Sequence, residues 1–158
     1  MKNKIYRLDK ELESLISALR SGGGKIVFTN GVFDIIHRGH VEYLINAKSH
    51  GDVLIVGVNS DSSVKRIKGD NRPVNNENDR AFVLLNLKPV DYVVIFEEDT
   101  PYNLIKAIQP NVLVKGGDWK VKDIVGSDIV LDRGGQVFSL KFIDNYSTTA
   151  IIKKINET

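Results

Sequence analysis

Short apolar runs rich in β-branched and aromatic residues alternate with amphipathic stretches along the whole chain, and this alternation limits the fold more than any other feature. Residues 25–29, 53–58, 91–96 and 112–115 are runs of the first kind, and 136–142 is a fifth. Strands that are apolar on both faces need cover on both faces, which is the pattern of a parallel sheet between helical layers. Leu8, Leu12, Leu15, Ile16 and Leu19 fall at helical spacing, predicting a helix over about 7–21 that Gly22, Gly23 and Gly24 stop. Further helices are expected after Gly39, with Val41, Leu44 and Ile45 on one face, and over 61–68, 77–87 (stopped by Pro89), 102–109 (ended by Pro110) and 147–155. The expected fold is α/β: a Rossmann-like three-layer α/β/α arrangement with a five-stranded, mainly parallel sheet. It is expected to form one domain over 1–158, with its core at about 25–156.

Composition narrows the function classes. A chain of 158 residues can bury a real core without staples, and it has no cysteine for a disulfide, a thiolate metal site or a thiol nucleophile. No apolar run reaches transmembrane length and the N-terminus lacks a signal-peptide core, so the expected location is the cytoplasm. The formal charge of +2 is small and its cations are scattered, which argues against a nucleic-acid partner. A small phosphorylated ligand remains.

Parallel α/β sheets bind ligands at the carboxyl ends of their strands, and here those turns hold the unusual residues. The first runs Thr29-Asn30-Gly31-Val32-Phe33-Asp34 and on to His37, Gly39 and His40. Glycine lets the backbone approach a ligand, and a helix opening near Gly39 aims free N–H groups at an anion. His37 and His40 hold two of the three histidines, and can donate to phosphate oxygens whose charge changes during a reaction. The competing readings are surface or core histidines, and a zinc site built from His37, His40 and Asp34.

Gly31-x-Phe33-Asp34-x-x-His37-x-Gly39-His40 resembles the signature of the cytidylyltransferase-like nucleotidyltransferases. Val58-Asn59-Ser60-Asp61, Lys68-Gly69-x-x-Arg72-Pro73, Lys115-Gly116-Gly117-Asp118-Trp119, Ile124-Val125-Gly126 and Tyr146-Ser147-Thr148-Thr149 extend the likeness. Together they are similar to one branch, the D-glycero-β-D-manno-heptose 1-phosphate adenylyltransferases.

That resemblance implies transfer of AMP from ATP, accompanied by Mg²⁺, to a sugar 1-phosphate, with release of pyrophosphate. The product would be ADP-heptose, a lipopolysaccharide core precursor. It implies catalytic roles for His37, His40, Lys68 and Arg72. Thr29, Asn30, Gly31, Val32, Phe33, Asp34, Lys115, Gly116, Gly117, Asp118, Trp119, Ser147 and Thr148 would join the histidines in binding nucleotide. The backbone of the Lys115–Trp119 turn would read the base, and Asp34 would orient Mg²⁺ or a histidine. Asn59 and Asp61, with Lys68 and Arg72, would bind the acceptor. Simpler readings stand beside these: Phe33 as core, Ser147 as a helix N-cap, Asn59 or Asp61 as a cap of the 61–68 helix, and Arg80 as either a phosphate ligand or half of a structural ion pair. The resemblance also implies a homodimer, with the 77–87 helix as a contact, and a separate heptose kinase in the pathway. The rival enzyme is a glycerol-3-phosphate cytidylyltransferase; Phe142 and Asp70 stand where those relatives carry basic residues. A rival of a different class is a non-catalytic nucleotide-binding module.

Overall fold

A computed structural model describes residues 4–158. The first three positions of the expected 1–158 domain lie outside the described residues. The elements run β1 (Ile5–Tyr6), α1 (Lys10–Ser21), β2 (Ile26–Gly31), α2 (Arg38–Lys48), β3 (Val53–Asn59), α3 (Asp61–Lys68), α4 (Glu77–Leu85), β4 (Tyr92–Phe96), α5 (Tyr102–Ile108), β5 (Val112–Gly116), α6 (Ser127–Asp132), β6 (Gln136–Leu140) and α7 (Thr148–Asn156), with a single 3₁₀ turn at Val121–Asp123.

The six strands form one sheet in the order β1-β4-β3-β2-β5-β6, and every pairing is parallel. The expectation of five mainly parallel strands therefore changes by one strand. The extra strand, β1, comprises two residues and pairs Ile5 with Val93 and Tyr6 with Val94 at the sheet edge. Helix α1 correspondingly starts at Lys10, because the Asp9 carboxylate accepts from the N–H groups of Glu11 and Leu12 at 3.0 and 3.1 Å.

Period-two alternation sorts strand residues between two cores. Ile26, Phe28, Ile55, Val94 and Leu113 face Leu12, Leu15 and Ile16 of α1 and Leu104 and Ile108 of α5. Val27, Leu54, Val56, Val93 and Val112 face Leu44 and Ala47 of α2 and Ala81 and Leu84 of α4. Burying each such side chain contributes about 1.5–3 kcal/mol, so both faces of the sheet hold the helical layers.

The chain leaves central β2 toward β3 and β4, then returns to add β5 on the other side of β2. The helices that follow β2 and β5 depart to opposite sides of this point, and the strand ends open a crevice there.

Candidate active site

The crevice is a cavity of about 560 Å³. It is lined by the turn after β2, Asn59 at the end of β3, Ile67, Lys68 and Arg72 around the end of α3, Lys115 and Gly116 closing β5, and, leading into α7, Phe142, Ile143 and Tyr146 to Thr149.

The turn after β2 packs tightly. Phe33 adopts a left-handed backbone (φ 49°), and its ring lies against Gly31, where a Cβ would come within 2.9 Å of it. Phe33 is buried in the core beside α2 and α4, as the core reading anticipated, while its edge also reaches the cavity. Its ring meets His40 edge-on at 5.4 Å and 60°.

His37 is the N-cap residue of α2, and His40 sits in the first turn. Their rings stack with centroids 3.8 Å apart and planes 21° from parallel. The His37 backbone N–H donates to His40 Nδ1 at 3.4 Å. A neutral His40 therefore carries its hydrogen on Nε2, the nitrogen available to a ligand. Burial lowers the pKa of both rings; for His40, burial and then the neighbouring His37 bring it down to about 4. Both rings are neutral donors at neutral pH until an anion arrives and favours their protonated forms.

Asp34 lines the cavity, and its carboxylate is held by the loop that follows α3. Its carboxylate accepts from Arg72 Nε at 2.9 Å and from the backbone N–H groups of Val74 and Asn75 at 2.9 Å each. Asn75 Nδ2 donates back to the Asp34 carbonyl at 2.8 Å. Burial alone would raise the carboxyl's pKa; the Asn75, Val74 and Arg72 donors overcome it and hold the group below the ordinary carboxylate range. Asp34 thus fastens the 72–75 loop, and neither histidine is among its hydrogen-bond partners. Among the described residues, no group of three or more His, Asp or Glu side chains is placed to hold a metal ion.

Three cations line the cavity. Arg72 uses Nε on Asp34, and its terminal nitrogens have no hydrogen bond among the described residues. Lys68 ends α3 at the exposed rim. Lys115 is half-buried with no carboxylate partner among the described residues, and burial lowers its pKa. An unpaired, partly desolvated ammonium in a cavity is well suited to an anionic ligand.

Several expected site residues have partners within the framework. Thr29 is fully buried and shares a hydrogen bond with the Tyr43 hydroxyl, which burial pushes up to about 12 in pKa. Thr29 therefore supports the cavity-lining Tyr43 from beneath rather than lining the cavity itself. Asp61 is also outside the cavity: it pairs with Arg80 at 2.8 Å. Arg80 is fully buried and donates in addition to the carbonyls of Asn75 and Val32 at 2.9 and 2.7 Å. Of its two readings, the structural ion pair is the one realised. Ser60, not Asn59 or Asp61, caps α3, accepting from Ser63 N–H at 3.2 Å. Asn59 donates to Ser63 Oγ and lines the cavity.

In the turn after β5, Gly117 and Asp118 stand outside the cavity lining, whereas Gly116 and Trp119 belong to it. Three of the backbone groups in this turn already have partners: Gly117 N–H donates to Leu140 O at 2.8 Å, Gly117 O accepts from Ser139, and Gly116 O accepts from the Trp119 indole. Ser147 is the N-cap of α7, accepting from Ala150 N–H at 3.0 Å, and Thr148 donates to Ile35 O at 3.1 Å. Both still line the cavity with the first turn of α7. Arg38 pairs with Glu42 on the exposed side of α2, outside the lining. Tyr43, Asp99, Thr100, Pro101 and Tyr146 also line the cavity, beyond the residues to which the sequence points individually. Only Tyr146 carried a signal, from its place in the Tyr146-Ser147-Thr148 match.

Residues 28–154 match the family described as Cytidylyltransferase-like. The chain is 58% identical over 155 residues to the "Bifunctional protein HldE" of Aliarcobacter butzleri, covering 98% of this chain and 32% of that protein. It is 56% identical over 149 residues to the protein of the same name from Escherichia coli O139:H28, covering 94% of this chain and 31% of that one. The chain thus spans about a third of the length of the curated relatives it matches. A crystal structure of the lipopolysaccharide core biosynthesis protein from Thermoplasma volcanium superposes with a TM-score of 0.61 at 29% identity, over 79% of this chain and 100% of that one. A pantoate-beta-alanine ligase from Francisella tularensis shares the fold, with a TM-score of 0.60 at 18% identity over 98% of this chain and 79% of its own. The chain belongs to the cytidylyltransferase-like family.

Proposed function

We propose, with that membership as the premise, that this chain is a nucleotidyltransferase moving AMP from ATP to D-glycero-β-D-manno-heptose 1-phosphate. The observation that carries the reading is the stacked His37–His40 pair at the head of α2, facing a cavity that Lys68, Arg72 and Lys115 also line. The heptose acceptor draws its support from the HldE relatives and from the lipopolysaccharide core biosynthesis protein.

An acceptor phosphate oxygen attacks the α-phosphorus of ATP, the bond to the β-phosphate oxygen breaks, and pyrophosphate leaves. The nucleophile is ionised at neutral pH, so the site needs no strong base. It needs alignment and neutralisation of charge on the transferring and leaving groups. His40 Nε2–H and His37 donate to the phosphate oxygens, and Lys115, Lys68 and Arg72 offset the charge that builds up on the leaving pyrophosphate. The first turn of α7, with Ser147 and Thr148, adds free N–H groups. Mg²⁺ enters as part of the substrate, bound to the triphosphate. Asn59 hydrogen-bonds a sugar hydroxyl, and the base rests against Gly116 and Trp119. We place self-association on α4, where Phe82 and Val83 are exposed, and assign supply of the acceptor to a sugar kinase. Among the described residues no helix is long and apolar enough to cross a membrane.

The test is a pyrophosphate-release screen of ATP, CTP and GTP against heptose 1-phosphates and glycerol 3-phosphate. Turnover with ATP and the heptose is expected. Turnover only with CTP and glycerol 3-phosphate overturns the acceptor assignment, and no turnover with any pair favours a binding module.

A further inference from the structure

His40 is oriented by a hydrogen bond; His37 has none. The His37 Nδ1 atom is buried and has no hydrogen-bond partner among the described residues, although the ring and the His40 backbone N–H face each other in the capping-box arrangement that opens α2. A Cβ built on Gly39 would lie 3.0 Å from both Nδ1 and Cε1 of His37, so that edge of the ring packs closely on the glycine. The same imagined Cβ would lie 2.9 Å from Cβ of Tyr146. Histidine and tyrosine thus meet over the one residue small enough to let both approach. The Tyr146 ring lies nearly parallel to that of His37, with centroids 6.1 Å apart and planes 25° from parallel.

Tyr146 is exposed, and the residues that follow it are anchored. It directly precedes Ser147, whose hydroxyl caps α7, and Thr148 reaches across to the Ile35 carbonyl, two residues before His37. The loop that carries the tyrosine is therefore tied to the loop that carries the histidine.

We propose that Tyr146 is a positioning residue for His37 in nucleotidyl transfer. Its Cβ, seated on Gly39, sets the tyrosine ring parallel to the imidazole and helps hold Nδ1 beside the glycine, leaving Nε2 for the phosphate. Stacking does the orienting that a hydrogen bond does for His40: the His37 ring lies against His40 at 3.8 Å, with the Tyr146 ring parallel to it at 6.1 Å, and the Tyr146 hydroxyl is not needed for it. The inference rests on reading the cavity as a nucleotidyl-transfer site, and one of its tests is independent of that reading.

That test is the NMR titration of His37 in the free protein. In wild type the ring resonances are shifted by both His40 and Tyr146, and the titration midpoint lies below the ordinary imidazole value. Tyr146→Phe keeps both properties. Tyr146→Leu loses the tyrosine's share of that shift while the share from His40 stays, and Tyr146→Ala also moves the midpoint up toward the ordinary value as the imidazole becomes exposed. The second test is steady-state turnover. Tyr146→Ala and Tyr146→Leu each lower kcat by about tenfold with KM for ATP nearly unchanged, because a misdirected donor costs more in the transition state than in binding. Tyr146→Phe restores kcat to within about twofold, the rescue expected when only ring packing matters. Unchanged His37 resonances in Tyr146→Ala would overturn the proposal, as would wild-type kcat in the same variant. If wild-type protein turns over no substrate pair, the transfer reading fails and the titration alone decides whether Tyr146 orients the ring.

Discussion

Arg72 donates its Nε–H to the Asp34 carboxylate at 2.9 Å, tying the loop after α3 to the turn that carries the two histidines. The same carboxylate accepts from Val74 and Asn75, so one buried anion fixes both an arginine and a stretch of backbone. Asp34→Ala is expected to destabilise the fold by about 3 kcal/mol, the cost of removing one partner from a buried charged network. It should also raise KM for ATP through the loosened Arg72. Because the folded pKa lies below 3.8, this stabilisation is present above pH 3.8 and is lost as pH falls through the folded value. Urea denaturation at neutral and acid pH, beside steady-state kinetics, measures both effects; a variant as stable as wild type at neutral pH would refute the fastening role.

His40→Ala should lower kcat by about 10²–10³-fold while leaving the circular dichroism spectrum intact, the loss typical of removing one donor to a developing charge. His40 also sets an acid limit to stability. Its pKa falls from 6.5 in the unfolded chain to about 4 in the fold, so the unfolded chain binds more protons between those values. Stability therefore drops as pH is lowered from 6.5 toward 4, and His40→Gln should flatten that part of the curve. Equal slopes in wild type and variant, followed by denaturant midpoints, would contradict the burial of this ring.

Arg80→Met tests the structural ion pair. It strips donors from the Asn75 and Val32 carbonyls and leaves Asp61 without its cation, so a loss of about 3 kcal/mol is expected, at the low end for a broken buried pair because Asp61 is partly solvated. Adding Asp61→Asn should recover part of the loss. A stable Arg80→Met protein that binds ATP poorly would instead point to a direct phosphate contact.

Lys115 should mark the alkaline limit of activity. Its pKa is lowered from 10.5 by burial, so its charge is lost sooner with rising pH than that of an ordinary lysine. Lys115→Arg keeps the cation and should shift the alkaline limb of the kcat/KM profile upward. Lys115→Met should cost about 100-fold at neutral pH, as expected for removal of a charge stabiliser. An alkaline limb that does not respond to either substitution would assign it to another group.

The α/β architecture was legible because strands β2 to β5 are apolar on both faces and the intervening helices show clear stripes. Strand β1 was not, since Ile5 and Tyr6 are too few to show a period and lead straight into a helical pattern. Helix α6 escaped for the same reason: Ser127–Asp132 spans fewer than two turns. Within the site, His37, His40, Lys68, Arg72 and Lys115 could be picked out as residue types suited to phosphate and lie together in the cavity. What local sequence does not encode is partnership across the chain. Asp61 meets Arg80 nineteen positions away, and Thr29 is buried by Tyr43 from a neighbouring helix. A threonine or aspartate beside a glycine-rich turn looks the same on paper whether it faces a ligand or a tyrosine.

The strand order has a consequence for how the protein comes together. Strands β1 to β4 can pair among themselves around β3, whereas β5 and β6 attach only to the far flank of β2. The histidines belong to the first group and Lys115, Trp119 and Tyr146 to the second, so the cavity is a seam between an early and a late instalment of the polypeptide. A nascent chain halted before β5 would carry both histidines with no opposite wall. A nucleotide held in the seam would act as a brace across it, resisting separation of the two halves most where the sheet has a single strand pairing to keep them joined.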